Sequence, residues 1–199
     1  MRIKGNIPMR IKFYTDRPFG VKVRRWLKSQ GEKIVDKNPD LIISCYNPKI
    51  IPKEELTVPA INFHPGFLPL NRGMFPHIWP LVDGSFAGVT LHWISDKLDA
   101  GDIIAQERVA VTPRDTGGSI EEKTQNKIFW LFKKMWPRIK KGKAPRFKQI
   151  GKGSYHAAKE GVMVTDIIKK RELEKDTSKN KVNEDMIENF KKMLLTNKV

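Results

Sequence analysis

The chain has 199 residues, 39% of them hydrophobic and 30% charged, and carries a formal net charge of +16 at pH 7. That length suits one domain with its own core plus a small appendage, and the composition argues against a disordered chain. Apolar runs stay short of the roughly 18 residues that span a bilayer, and the basic N-terminus lacks the apolar stretch of a signal peptide, so no membrane association and a cytoplasmic location are expected.

Ile11 to Thr15 reads as a short strand, and Arg17-Pro18-Phe19-Gly20 opens a helix whose apolar stripe is Val21, Val23, Trp26 and Leu27. Leu41 to Cys45 is apolar almost throughout, as a strand covered on both faces is. Cys45, the single cysteine, is expected to be a buried thiol. Pro48, Pro52 and Pro59 punctuate the connection around 50–56, and a strand from Pro59 to His64 is stopped by Pro65-Gly66. Residues 68–80 hold too many prolines and glycines for a long element. Gly88 to Ile94 is the clearest strand; a polar loop over 95–102 and a strand from Ile103 to Val111 follow.

Ser119-Ile120-Glu121-Glu122 reads as a capping box with Ser119 at the N-cap. The helix it starts puts Ile128, Leu131, Phe132, Met135 and Ile139 on one side, and Pro137 is expected to end or kink it near Met135-Trp136. Strands alternating with helices predict an α/β fold, a Rossmann-like, open and mostly parallel sheet. After Pro145 the pattern changes: 147–154 resembles a strand or hairpin, 169–181 is highly charged, and 183–195 has helical spacing.

Between Lys133 and Lys152 stand nine basic residues and no acid, and the first 33 residues carry ten basic side chains against Asp16 and Glu32. Such a field suits tRNA or the diphosphate of a nucleotide-linked substrate, and equally a solvated lysine-rich surface. Charge alone does not choose between them.

Asn62 and His64, two apart on a strand, share one face at its carboxyl end, where open α/β sheets bind ligands. An amide can donate to a developing oxyanion and an imidazole can relay a proton. A satisfied polar strand end would present the same two residues. The loop Ser95 to Asp102 holds Asp96, Asp99 and Asp102, one of which could orient His64. With no second histidine or cysteine at ligand spacing, no metal is expected. His92 reads as a hydrogen-bonded structural histidine, Trp79 as core or substrate contact, and His156 carries no assigned role.

Asn62-Phe63-His64-Pro65-Gly66-Phe67-Leu68-Pro69, then Asn71-Arg72-Gly73, Pro76 and Trp79, then Gly88-Val89-Thr90-Leu91-His92, then Leu98-Asp99-Ala100-Gly101-Asp102 form an ordered series. It resembles the signature of the formyltransferases that depend on N10-formyltetrahydrofolate, over roughly residues 40–150. The resemblance implies Asn62, His64 and Asp99 as catalytic residues and N10-formyltetrahydrofolate as co-substrate. It implies a pterin site among Val82, Asp83, Gly84, Phe86, Gly88, Asp96 and Leu98, and substrate contacts from Arg72, Gly73, Met74 and His77. Trp136-Pro137 and the run from Gly151 to Glu160 are most similar to the nucleotide-sugar N-formyltransferases.

The acceptor expected is the amine of a dTDP- or UDP-linked amino sugar, as in lipopolysaccharide biosynthesis. Methionyl-tRNA is second, glycinamide ribonucleotide third, and a non-catalytic basic binding protein that kept the fold, or a nucleic-acid-binding module, stands outside the class. A homodimer is left open. The implied organisation is a catalytic domain over 1–145 and an accessory C-terminal strand and helix segment over 146–199. Only two expected strands precede Asn62, so the sheet is shortened on its N-terminal side.

Overall fold

The computed structural model describes residues 7–112 and 114–160. Its sheet uses β1 (Arg10–Tyr14), β2 (Lys33–Ile34), β3 (Leu41–Cys45), β4 (Ala60–His64), β6 (Gly88–Trp93) and β7 (Ile103–Arg108) in the order β2-β1-β3-β4-β6-β7. Strands β2, β1, β3 and β4 pair parallel; β6 runs antiparallel to β4, and β7 antiparallel to β6. This is the mostly parallel, Rossmann-like sheet that the alternation of strands and helices predicts. Two short strands, β5 (Arg72–Gly73) and β8 (Tyr155–His156), pair parallel in a second small sheet.

Period two along the strands sorts their side chains onto two faces. Ile11, Ile43, Ile61, Phe63, Val89 and Leu91 pack against helices α1 (Pro18–Ser29) and α3 (Gly117–Lys140). α1 starts with proline in its first turn, where the missing N–H costs nothing, and buries Phe19, Val23 and Leu27 at four-residue spacing. α3 buries Ile128, Leu131, Phe132, Met135 and Ile139, the five positions its sequence sets on one side. The opposite face carries Ile42, Ser44, Ala60, Asn62, His64, Thr90 and His92, and among the described residues it is covered by connections rather than by a long helix. Glu55, in the turn at 53–55, accepts hydrogen bonds from Lys12 and Tyr14 on that side.

Three strands, not two, precede β4; β2 is a two-residue ladder with no periodicity of its own. The segment 68–80 supplies β5 and leads into the one-turn helix α2 (Trp79–Asp83). The strand from Ile103 ends at Arg108, short of Val111. The N-cap of α3 is Thr116, whose hydroxyl accepts from the Ser119 amide while Ser119 Oγ accepts from the Thr116 amide, so Ser119 sits at N3. Pro137 does not end α3, which continues to Lys140; the ring lies on the exposed side, where water can hydrate the carbonyl it leaves unbonded. Cys45 is buried.

Of the segment over 146–199, residues 146–160 are described, and they return to the sheet: Phe147 bridges Ile103, and β8 joins β5. The helical spacing at 183–195 and the charged run at 169–181 lie outside the described residues. Among those described, no helix is long and apolar enough to cross a membrane.

Candidate active site

β4 places Asn62 directly opposite His92 and His64 opposite Thr90 on the connection-covered face. Asp99 arrives from the loop after β6, which folds back tightly: a Cβ on Gly101 would lie 1.7 Å from the Trp93 carbonyl oxygen, so only glycine fits there. The Asp99 carboxylate then sits among three partners. Its Oδ1 accepts from Asn62 Nδ2 at 3.3 Å, its Oδ2 accepts from the Gly73 amide at 2.9 Å, and the same Oδ2 lies 3.6 Å from His64 Nδ1. Asn62, His64 and Asp99, named from the sequence as one set, are brought together. His92 joins them, with Nε2 3.1 Å from Asn62 Nδ2.

The hydrogen-bond roles follow from what each partner can do. Carbonyl oxygens only accept, so His92 Nδ1, 2.9 Å from Trp93 O, carries a proton, and its Nε2 accepts from the Asn62 amide. His64 Nε2 likewise donates to Asn71 O at 2.9 Å. In neutral His64 the free lone pair is therefore on Nδ1, facing the Asp99 carboxylate. Burial, the largest influence, pushes the His64 pKa down; Asp99 opposes it and His92 reinforces it. Burial alone would raise the Asp99 carboxyl, but His64, His92 and the Gly73 amide outweigh it and hold Asp99 well below the usual carboxylate range. The result is an ionised acid beside a neutral base whose ring is oriented by the bond from Nε2 to Asn71 O, with Asp99 placed to stabilise the ring once Nδ1 takes a proton. His64 is 3% and Asp99 8% exposed, whereas Asn62 is half-buried, so the amide is the member that faces outward.

His64, His92 and Asp99 present donor atoms within 4.8 Å of one another, so the fold supplies the second histidine that spacing did not show. The Asn62 amide nitrogen, which can only donate, already bonds two atoms of that group, His92 Nε2 and Asp99 Oδ1.

The residues expected at the substrate lie on one loop. Gly73, at φ 93°, pairs in β5 so closely that a Cβ would stand 2.2 Å from the His156 carbonyl oxygen. Arg72 does not point to open solvent: its Nη2 and Nε donate to Gln149 Oε1 at 2.6 and 3.2 Å. The Met74 amide donates to His156 O, and its carbonyl accepts from Trp79 Nε1. His77 Nδ1 is buried without a partner among the described residues, and burial followed by the nearby His64 pushes its pKa to about 4.

Of the seven residues expected around the pterin, Val82, Asp83, Gly84, Phe86 and Gly88 precede or open β6, whereas Asp96 and Leu98 follow its end. Asp96 lines a cavity of about 200 Å³ with Leu56, Ala60, Ile94, Ser95 and Arg146. The residues missed by sequence reasoning are those apolar walls, His92, and Gln149, Ser154 and His156. His156 stacks on Trp79 at 3.6 Å and lies within 3.2 Å of Asn71 Oδ1. Antiparallel pairing of β4 with β6 would have revealed the place of His92; Ser154 and His156 fall in the run from Gly151 to Glu160 that the resemblance singles out, and nothing in the local sequence marks Gln149.

An open α/β sheet that gathers an amide, an imidazole and a carboxylate at the carboxyl end of a central strand defines a Rossmann-like protein with a buried polar cluster at the place where such sheets bind ligands. A family model described as formyl transferase matches residues 22–134, and the chain belongs to that family. It is 43% identical over 82 residues to the dTDP-4-amino-4,6-dideoxyglucose formyltransferase of Mycobacterium tuberculosis (strain ATCC 25618 / H37Rv), covering 41% of this chain and 35% of that protein. It is 35% identical over 133 residues to the methionyl-tRNA formyltransferase of Bacillus cytotoxicus, covering 65% of this chain and 42% of the relative. The chain thus spans about two-fifths or less of the length of these curated relatives. Among solved structures, the formyltransferase PseJ from Anoxybacillus kamchatkensis, in complex with UDP-4,6-dideoxy-4-formamido-L-AltNAc and tetrahydrofolate, is 31% identical with a TM-score of 0.70, over 80% of this chain and 90% of that one.

Proposed function

We propose that the chain transfers the formyl group of N10-formyltetrahydrofolate to the amine of a UDP- or dTDP-linked amino sugar. The observation that carries this reading is the convergence of Asn62, His64 and Asp99, at 3.3 and 3.6 Å, in a member of the formyl transferase family. PseJ, bound to a UDP-linked formamido sugar and tetrahydrofolate, supports UDP; the mycobacterial relative supports dTDP. Because PseJ is matched over 90% of its chain, a sheet shortened on its N-terminal side is no argument for an inert protein.

In the proposed reaction the neutral amine attacks the formyl carbon, a C–N bond forms, and the carbonyl oxygen becomes an oxyanion. Asn62 Nδ2 donates to it, exchanging its longer bond, the 3.3 Å one to Asp99. His64 Nδ1 takes the proton lost by the amine, and the imidazolium is stabilised by Asp99. Collapse of the intermediate breaks the bond to N10 of the folate, which receives that proton and leaves as tetrahydrofolate. The cavity beside Asp96 suits the pterin: its walls Leu56 and Ile94 are apolar, and Ser95, Asp96 and Arg146 supply polar groups for a heterocyclic edge. Ala60, in its lining, stands two residues, roughly 7 Å, before Asn62 on the same face. The orphaned Nδ1 of His77 favours an acceptor-side contact, since a bound donor would recover about 1–3 kcal/mol of unsatisfied burial.

The test is tetrahydrofolate release from N10-formyltetrahydrofolate with UDP- and dTDP-linked amino sugars, glycinamide ribonucleotide and methionyl-tRNA in parallel. Release with a nucleotide-linked sugar supports the reading; release with none of the four overturns it. A second reading, methionyl-tRNA as acceptor, is favoured by the 133-residue match and the +16 charge, and would show as release with tRNA that weakens steeply with salt.

A further inference from the structure

Asp99 adopts φ 50°, in the left-handed region, where a residue with a side chain stays only if its surroundings over-determine it. Those surroundings include one side chain far along the chain. Gln149 Nε2 donates to the carbonyl oxygens of Asp99 and Gly101, at 2.8 and 2.9 Å, while its Oε1 accepts from Arg72 Nη2 and Nε. Both N–H groups and the amide oxygen are thereby used. A flipped amide would set its oxygen against two carbonyls and its nitrogen against a guanidinium, so the neighbours dictate the orientation. From Arg146 to Lys152 every residue is exposed except Gln149, which alone turns inward.

The loops it joins are the two that meet at the acid. Arg72 precedes Gly73, whose amide donates to Asp99 Oδ2, and the bonded carbonyls of Asp99 and Gly101 fix the backbone at and just after the carboxylate's own residue. We propose that Gln149 is a positioning residue, clamping the Asp99 loop to the Arg72 loop so that the carboxylate stays directed at Asn62 and His64. Gln149 touches none of the reacting groups and acts through Asp99. The kinetic part of its test rests on the formyl-transfer reading; the spectroscopic part does not.

Gln149→Glu separates the two halves of the clamp. A carboxylate still accepts from Arg72, but it has no proton to give to the two carbonyls. Gln149→Leu removes both halves. The clamp predicts that each variant lowers kcat roughly 10- to 100-fold while KM for folate and acceptor changes by less than about threefold, as a displaced catalytic group does. Wild-type kcat in Gln149→Glu, or a change confined to KM, overturns it. The second readout is the imidazole nitrogen titration of His64 in ligand-free protein. Asp99 raises the pKa of His64 against burial, so Asp99→Asn lowers the midpoint, and Gln149→Leu must shift it the same way; Gln149→Glu does not enter this readout, because its added carboxylate offsets Arg72, whose charge lowers the His64 pKa. A His64 midpoint unmoved in Gln149→Leu while Asp99→Asn moves it refutes the clamp, even if the wild-type protein formylates none of the acceptors. If the leucine variant fails to fold, Gln149→Met, which likewise lacks both halves, carries the titration and the glutamate variant carries the kinetics.

Discussion

Asn62 and Phe63 are neighbours on β4, and their side chains meet opposite surroundings. Phe63 lies 4.8 Å from the Phe132 ring of α3, within an apolar cluster that also holds Trp26 and Trp136. Asn62 stands on the other face, donating to His92 and Asp99 beneath connections that, among the described residues, carry no long helix. The helix-covered face gains stability from area and close packing, which tolerate no gap but are indifferent to proton positions. The other face relies on directional bonds among a few polar atoms, each of which loses its meaning when one donor is removed. One five-residue strand thus separates what holds the fold from what the proposed chemistry needs, and substitutions on its two sides should fail differently.

The largest effect is expected on the packed face. Phe132→Ala empties a site of zero exposure at the centre of the aromatic cluster and should cost about 3–5 kcal/mol of unfolding free energy by urea denaturation. The folded fraction should keep kcat close to wild type. Loss of kcat in that fraction would mean that the two faces are coupled.

Next comes the polar face. Asn62→Ala should reduce formyl transfer by ~10²–10³ while shifting stability by about 1 kcal/mol, since water can take over bonds at a half-buried position. A near-normal rate of tetrahydrofolate release from the folded variant removes Asn62 from the proposed mechanism.

The third contrast is in acid. His77 has a pKa lowered from 6.5 to about 4 and that of His64 is also lowered, so both stay neutral in the fold while the unfolded chain protonates. Stability is therefore lost as pH falls through 6.5, and for His77 the loss levels off near 4, with a ceiling of roughly 3 kcal/mol. Replacing His77 by Phe should flatten the urea midpoint between pH 7 and pH 4, leaving the slope that belongs to His64 and His156, whose pKa burial also lowers. An unchanged profile would place the acid sensitivity elsewhere.

How much of this could be read from the sequence follows the same division. β4, β6 and the buried side of α3 are legible because periods of two and 3.6 residues are imposed by packing along a single element. Asn62 and His64 are legible as a pair for that reason, and Asp99 through the ordered series it belongs to. His92 needed the register of β4 against β6, a non-local fact. β2, β5 and β8 are two residues each, too short to have a period, and β5 finds its partner some 80 residues along the chain. Gln149 is a lone polar residue in a basic run, and its importance lies wholly in where Asp99 and Arg72 are. The cavity beside Asp96 is walled by ordinary apolar residues that announce no chemistry.

The smallest effect expected concerns the start of α3, where two readings of one motif differ. A Ser-x-x-Glu pattern puts the N-cap at Ser119 and gives Glu122 a capping role. The hydrogen bonds instead put it at Thr116, with Ser119 at N3 also donating to Asp115 at 2.7 Å. Thr116→Ala removes the acceptor for the Ser119 amide and should cost about 1 kcal/mol. Glu122 is exposed, and its replacement by Ala should stay within about 0.5 kcal/mol. Reversal of that ranking in urea midpoints would restore Ser119 as the cap. Neither variant should alter kcat, because this helix start supports the packed face and contributes no hydrogen bond to Asn62, His64 or Asp99.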